Sequence, residues 1–177
     1  MSDKASLRRE LLSVRLKLTD SEYRSANMHA QAALRSLLSH TSYGFNSIHT
    51  YRPLLPQREV DITPVISWLA ELHPRKIVHT TRKTAAGWVT ADWNTGKLVT
   101  PLISYDLIII PMLGFDERLH RIGYGGGFYD RFLSLQPTAY KVGLCFEIGH
   151  ILRLPNEAYD ISLDSIATDQ TTYGLIG

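Results

Sequence analysis

Arg121-Ile122-Gly123-Tyr124-Gly125-Gly126-Gly127-Phe128-Tyr129-Asp130-Arg131 places four glycines within five residues. So dense a run makes neither a good strand nor a good helix interior, because glycine gives up the most backbone freedom on ordering. It suits a loop whose bare amides approach something closely. Upstream, Leu107-Ile108-Ile109-Ile110 reads as a buried strand. Downstream, Phe128 to Leu135 reads as a short helix, stopped by Pro137. Strand, glycine loop and helix in that order form a cradle in which free amides and the positive helix end face an anion.

Glycine-rich turns between strand and helix also occur where nothing binds. This loop is not a Walker loop, since no Gly-Lys-Ser/Thr follows, and it is a poor dinucleotide fingerprint. Its flanks supply what the glycines lack. Arg121 and Arg131 are cations for phosphate oxygens, and Asp130 is a carboxylate for the metal that travels with them.

Working outward, Lys4 to Leu18 has an amphipathic helical pattern, with Leu7, Leu11, Val14 and Leu18 on one stripe. Lys4, Arg8 and Arg15 fall within a narrow arc beside it, because four and eleven residues are close to whole turns. That edge is either a solvated charged face or a set of cations reaching over whatever the helix packs on. Thr19-Asp20-Ser21-Glu22 fits a capping box, so a second helix starts there and buries Ala26, Ala30, Ala33, Leu34, Leu37 and Leu38. His40 to Asn46 is a loop, Ser47 to Tyr51 a strand, and Arg52 to Arg58, with two prolines, a further loop. After Glu59-Val60-Asp61, Thr63 is the expected N-cap of a helix with Pro64 at its first position.

Lys76-Ile77-Val78 reads as a strand ending near Thr81-Arg82. Trp88, Val89, Trp93 and the turn signal Asn94-Thr95-Gly96 suggest a small hairpin. Asp106 to Ile110 is the central strand, and Tyr140 to Phe146 another. Arg153 to Asn156 is a loop, and Asp164 to Thr168 a last short strand. Apolar strands separated by helices imply a mainly parallel sheet covered by helices. Ligands of such sheets sit beyond the carboxyl ends of the strands. The Arg52–Asp61 loop, Thr81-Arg82, the glycine loop and the segment after Phe146 should therefore converge.

The 177 residues are enough for one domain, 1–177, with a sizeable core. A formal charge of +2 and a pI near 8.7 are too mildly basic to argue for nucleic acid. The one cysteine, Cys145, lies in an apolar run and reads as core; no internal disulfide can form. The charged N-terminus has no apolar leader and no stretch approaches membrane-spanning length, so a cytoplasmic protein is expected.

The sequence resembles the 5-formyltetrahydrofolate cyclo-ligases, also called 5,10-methenyltetrahydrofolate synthetases. Gly114-Phe115-Asp116, followed by the whole stretch Arg121 to Arg131, is similar to that family's nucleotide loop almost residue for residue. Lys4-Ala5-Ser6-Leu7-Arg8 resembles its opening helix, and Glu59-Val60-Asp61 its folate-contacting segment. Leu154-Pro155, Tyr159-Asp160 and Asp164 resemble its closing segment. The resemblance covers nearly the whole chain. It implies a three-layer α/β/α domain with a mainly parallel, Rossmann-like sheet of the CoA-transferase or ribose-phosphate-isomerase kind.

It also implies ATP- and magnesium-dependent closure of 5-formyltetrahydrofolate to 5,10-methenyltetrahydrofolate, with ADP and phosphate released. By resemblance, Lys4 and Arg8 hold ATP phosphates. Gly123, Tyr124, Gly125, Gly126 and Gly127 wrap them, with Arg121 and Arg131 adding charge. Asp130 and Asp160 are the magnesium carboxylates, and Asp130 and Arg131 stand at the chemistry. Glu59 and Asp61 accept from the pterin end, although Asp61 also suits a structural place at the start of the next helix. Tyr124, Phe128 and Tyr129 pack on adenine or folate, or belong to the core. The partners implied are small molecules, ATP and reduced folate. Neither nucleic acid nor membrane is expected as a partner, and the protein is expected to act as a monomer.

The sequence departs from the family on the folate side. Gly96 to Pro101 lacks a glutamate usual before the central strand, and the stretch between Trp93 and Asp106 is short. Thr81-Arg82 replaces a common Pro-Arg pair, and Cys145 to Gly149 lacks a glutamine. Two readings follow: the ATP-dependent ligase, or a nucleotide-binding relative with an altered or lost folate site. A generic dinucleotide protein is disfavoured, because no acidic residue closes a suitable downstream strand.

Overall fold

The computed structural model describes residues 3–40, 44–72, 74–85, 87–155, 157 and 160–174. Part of the expected His40–Asn46 loop, together with Asn156 and Tyr159, lies outside the described residues.

Helix α1 (Lys4–Leu16) starts at Asp3, whose carboxylate accepts the N–H of Ser6 at 2.6 Å. It ends two residues before the expected Leu18. Its apolar contacts are Leu7, Leu11 and Leu12 against Leu113, Ile122 and Leu154, so it lies on a small satellite cluster rather than on the sheet. Val14 is only half buried, and Arg15 is buried instead.

Helix α2 (Asp20–His40) opens with the expected capping box. Glu22 N–H donates to Thr19 Oγ1 at 3.2 Å, and Thr19 N–H to Glu22 Oε2 at 2.7 Å. Strand β1 (Ser47–Thr50) follows, then a 3₁₀ turn at Leu55–Gln57. Helix α3 (Thr63–Leu72) takes its first hydrogen bonds from Ile62 O, so Ile62 and not Thr63 is the cap position. Asp61 Oδ1 accepts the Thr63 N–H at 3.0 Å, giving Asp61 the structural place the sequence had left open.

Strands β2 (Ile77–Thr84) and β3 (Gly87–Asp92) form a hairpin that turns near Ala85. The Asn94-Thr95-Gly96 signal makes a second, smaller reversal, closed by the Ala91–Leu98 bridge. Strand β4 (Leu107–Pro111) is the central strand, and Leu107, Ile108, Ile109 and Ile110 are wholly buried. A two-stranded hairpin, β5 (Gly114–Phe115) and β6 (Arg121–Ile122), separates it from the glycine loop. Helix α4 (Phe128–Ser134), strand β7 (Tyr140–Leu144), strand β8 (Ser165–Ala167) and strand β9 (Thr172–Gly174) complete the chain. The sequence reading missed β9.

The sheet order is β3-β2-β1-β4-β7-β8-β9. The five inner strands are parallel, and β3 and β9 close the edges antiparallel. Alternate side chains of one strand face opposite sides. Leu107 and Ile109 accordingly join Leu34, Leu37, Ile66 and Leu69 of α2 and α3 in one core. Ile108 and Ile110 join Phe132 and Leu133 of α4 in the other. The result is an α/β/α arrangement on a mainly parallel sheet, as expected. Cys145 is buried in the second core, where burial pushes its thiol pKa up.

From β1 the chain crosses to β2 on one side, and β4 then pairs with β1 on the other. The order therefore reverses between β1 and β4. The loops leaving these two strands diverge there and open a crevice at their carboxyl ends.

Candidate functional site

The crevice is a cavity of about 970 Å³. It draws on all four regions expected to converge: Arg52, Leu54 and Gln57 after β1; Thr81 and Arg82 on β2; the glycine loop; and Glu157 and Asp160 after β7. Lys4 and Arg8 enter from α1. Lys4, Arg8, Arg52, Arg82, Lys83 and Arg121 face Asp130, Glu157 and Asp160, six cations against three carboxylates. Much of a small net charge is thus concentrated in one concavity, which favours anionic ligands.

The glycine loop keeps its expected form. Gly125 (φ 88°) and Gly127 (φ 61°) adopt backbone conformations that side chains rarely tolerate. A Cβ on Gly125 would lie 3.4 Å from the Arg8 guanidinium. Arg8 Nε donates to Gly123 O at 3.1 Å. Around Gly123 a Cβ would meet no heavy atom of the described residues within 4 Å. The loop thus borders open space on one side and a cation on the other. Helix α4 has only seven residues, so the loop amides and the surrounding cations carry more of the attraction than its dipole.

The cations are held by partners. Lys4 Nζ is 2.7 Å from Asp160 Oδ2 and 3.5 Å from Glu157 Oε2. Arg121 pairs with Asp130 and donates to Ile161 O at 2.6 Å. For the Asp160 carboxyl, burial raises the pKa. The Lys4 hydrogen bond, the Glu157 N–H and the charges of Lys4 and Arg121 outweigh that and hold it below the ordinary value. Asp130 and Asp160 both line the cavity, so two carboxylates are available to a hard cation that takes its other ligands from water and phosphate. The described residues contain no cluster of three or more metal-ligating side chains, so any such ion depends on its ligands.

Phe128 and Tyr129 line the cavity, and Phe128 also stacks on Phe132 with ring centres 5.3 Å apart. Arg131 is exposed and lies outside the lining, with one guanidinium nitrogen 3.5 Å from where a Gly127 Cβ would stand. Glu59 and Asp61 also lie outside the lining. Glu59 is 3% exposed; burial raises the pKa of its carboxyl, against hydrogen bonds from Leu54 N–H and Tyr124 and the charge of Arg15. Asp61 caps α3. Glu59 is thus buried and Asp61 stands at the start of α3, both beside the lining rather than in it.

Asp116 is wholly buried and ties Arg118 and the Leu154 N–H together, so it anchors the closing segment. Asp164 Oδ2 accepts the Lys141 N–H at the start of β7, at the opposite end of the sheet.

Sequence reasoning missed Trp88 and Lys83, which the β2–β3 hairpin brings to the crevice. It also missed the way Arg52 stacks over Trp93, 3.6 Å from the ring centre. Trp88 stands near the start of β3 and is 43% exposed, a placement the sequence pattern does not announce.

Fold and crevice together define an α/β protein with a cation-lined cleft at its topological switch point. The chain belongs to the 5-formyltetrahydrofolate cyclo-ligase family, whose sequence pattern matches residues 48–169. The resemblance drawn from the motifs therefore holds. A 5-formyltetrahydrofolate cyclo-ligase of Haemophilus influenzae is 37% identical over 70 residues, 38% of this chain and 37% of the relative's length. One from Mycoplasma pneumoniae is 26% identical over 171 residues, 95% of this chain and 99% of the relative. The solved structure of a 5,10-methenyltetrahydrofolate synthetase from Mycoplasma pneumoniae matches with a TM-score of 0.80 at 22% identity. It covers 96% of this chain and 100% of that one, a likeness of fold.

Proposed function

We propose that this protein is an enzyme that closes 5-formyltetrahydrofolate to 5,10-methenyltetrahydrofolate at the expense of ATP. Family membership supports this reading. The observation that carries it is the meeting of α1 cations with the glycine loop inside one crevice, Arg8 on Gly123 and Lys4 on Asp160.

The reaction needs a leaving group. The formyl oxygen on N5 takes the γ-phosphoryl group, giving an imidoyl phosphate. N10 then attacks the formyl carbon, loses its proton, and phosphate departs. The protein's work is positioning and charge neutralisation. The amides from Gly123 to Gly127 donate to phosphate oxygens, Lys4, Arg8 and Arg121 balance their charge, and Arg131 adds a cation from the outer side of the loop. Asp130 and Asp160 hold magnesium, which when bound neutralises charge on the phosphates. Phe128, Tyr129 and the Tyr124 ring offer apolar surface to the flat ring systems. Glu59 Oε2 accepts the Leu54 N–H and so shapes the loop that carries Leu54 into the crevice. The enzyme works in the cytoplasm as a single-domain monomer on small molecules; among the described residues no helix is long and apolar enough to cross a membrane.

The burial of Glu59 and the bond of Asp61 to the start of α3 favour one second reading, a nucleotide-binding relative with an altered folate site. One experiment separates the two. Purified protein with ATP, magnesium and 5-formyltetrahydrofolate is expected to develop the near-ultraviolet absorbance of the methenyl product. Tight ATP binding with no such absorbance would replace the ligase by the second reading.

A further inference from the structure

The cations of the crevice are not alike. At the glycine-loop end Lys4 and Arg121 are each held by a carboxylate, and Arg8 by the Gly123 carbonyl. At the other end Arg52 and Arg82 form no ion pair among the described residues. Both are nonetheless held in place. Arg52 stacks over Trp93, 3.6 Å from the ring centre, and donates from Nη2 to Trp93 O. Arg82 Nη1 donates to Gly96 O at 2.8 Å. A ring face or a carbonyl oxygen orients a guanidinium without cancelling its charge. The other terminal nitrogen of each group has no hydrogen-bond partner among the described residues.

The backbone brings the two together. Thr50 of β1 and Thr80 of β2 are the last parallel pair, and Arg52 and Arg82 each stand two residues beyond it. Both side chains reach the one reversal, Trp93 to Gly96, and take a carbonyl at either end of it. That reversal opens the stretch in which the sequence departs from the family, and here it seats two cations. Between them and the glycine loop stands Trp88. It lines the cavity, with Nε1 3.6 Å from where a Gly126 Cβ would lie.

The reduced folate is also two-ended. Its reacting nitrogens, N5 and N10, must lie at the γ-phosphate. Beyond N10, a benzoyl ring and an amide carry a glutamate with two carboxylates. Phosphates repel those charges, so they fall away from the glycine loop. In the sheet β2 lies on the far side of β1 from β4, the strand that leads to that loop. The end of the crevice at Arg52 and Arg82 is the one left for them.

We propose that Arg52 and Arg82 are specificity-determining residues that bind the glutamate carboxylates of the reduced folate, with the benzoyl ring lying along Trp88. This inference rests on the ATP-dependent ligase reading. A guanidinium meets a carboxylate by charge-assisted hydrogen bonds in a fixed geometry that an ammonium does not reproduce.

The test compares two substrates: 5-formyltetrahydrofolate, and its derivative with both glutamate carboxylates converted to amides. The amides keep the shape and remove the charge. In the unaltered protein the diamide should raise KM about tenfold or more, with little change in kcat, because the carboxylates are remote from the reacting atoms. Arg52→Ala and Arg82→Ala should each raise KM for the natural substrate, and Arg82→Lys should recover only part of the loss. With both arginines replaced, the two compounds should share one KM, while KM for ATP holds. Equal KM values for the two compounds in the unaltered protein, a comparison that needs no variant to fold, overturn the inference and leave the ligase reading standing. So does a diamide penalty that persists in full in the double variant, or a rise in KM for ATP in place of folate. Failure of the unaltered protein to form methenyl product from either compound overturns the ligase reading, and the inference with it.

Discussion

Arg8 and Gly123, 115 residues apart in the chain, are joined by a 3.1 Å hydrogen bond from the guanidinium Nε to the loop carbonyl. The bond occupies one of the loop's carbonyls, a group that would repel a phosphate. With that carbonyl occupied, the amides and the rest of the guanidinium are left for an anion. Docking of the first helix and shaping of the glycine loop are thus one event.

Lys4→Ala, Arg8→Ala and Asp130→Ala are each expected to raise KM for ATP about tenfold or more, as loss of a charge-assisted contact does. Lys4 and Asp130 sit in partly solvated ion pairs, which contribute about 0–1 kcal/mol to stability, and Arg8→Ala removes one hydrogen bond to the Gly123 carbonyl, about 1 kcal/mol. Melting temperatures should therefore move by only a few degrees. Steady-state kinetics beside thermal unfolding checks this. A large melting drop in all three with unchanged KM would make them structural.

Gly125→Ala tests the loop's shape. Its φ of 88° strains any side chain by about 1–2 kcal/mol, and the new methyl sits at van der Waals distance, 3.4 Å, from Arg8. Displacement of the loop by about 1 Å should lower kcat/KM about a hundredfold. Gly123→Ala meets open space and needs no unusual φ, so stability should hardly change. If it nonetheless weakens nucleotide binding, the ligand occupies that space.

His49 sets a pH dependence. It is wholly buried on β1, 4.2 Å from the Phe132 ring centre, and neither ring nitrogen has a hydrogen-bond partner among the described residues. Burial, helped by the charge of His79, lowers its pKa to about 3. The unfolded chain protonates this group near pH 6.5, so between about pH 6.5 and 3 the unfolded state binds the extra proton. Stability therefore falls with pH across that window, by about 2 kcal/mol at pH 5. Denaturant unfolding at pH 7 and pH 5 should show the loss, and His49→Leu should remove most of it.

Gly149→Ala should be severe for a purely steric reason. A Cβ there would lie 2.5 Å from Leu113 O and 3.1 Å from Gly114 Cα, both backbone atoms. The 3₁₀ turn at Glu147–Gly149 would have to lift off β5, at a cost of about 3 kcal/mol. A thermal melt of the variant measures it. A melting temperature within a degree or two of the unaltered protein would refute the close packing.

Patterns confined to a few neighbouring residues were legible. The run Leu107 to Ile110 announced a buried strand, and Thr19 with Glu22 announced a helix start. In each, the cause and the effect lie within one turn or one strand. The place of Arg15 was not legible. Periodicity put it beside Lys4 and Arg8, yet α1 rests on the β5–β6 hairpin, and that contact turns Arg15 inward to Tyr124. Glu59 and Asp61 read as a pair of acceptors, but one residue of separation sent them to different surroundings, one to the Leu54 N–H and one to the start of α3. The edge strand β9 is short and half exposed, so it left little apolar signal.

From the amino-acid order alone came the alternation of strands and helices, the parallel sheet, the loop that must be bare of side chains, and the family. These follow from local backbone preference and the period of apolar residues, which neighbours in the chain decide. Which cations lean into the loop, and which carboxylates face the crevice rather than the interior, was decided only when distant segments packed together. A charged side chain takes its role from the partner and the burial it meets, and residues far away in the chain supply both.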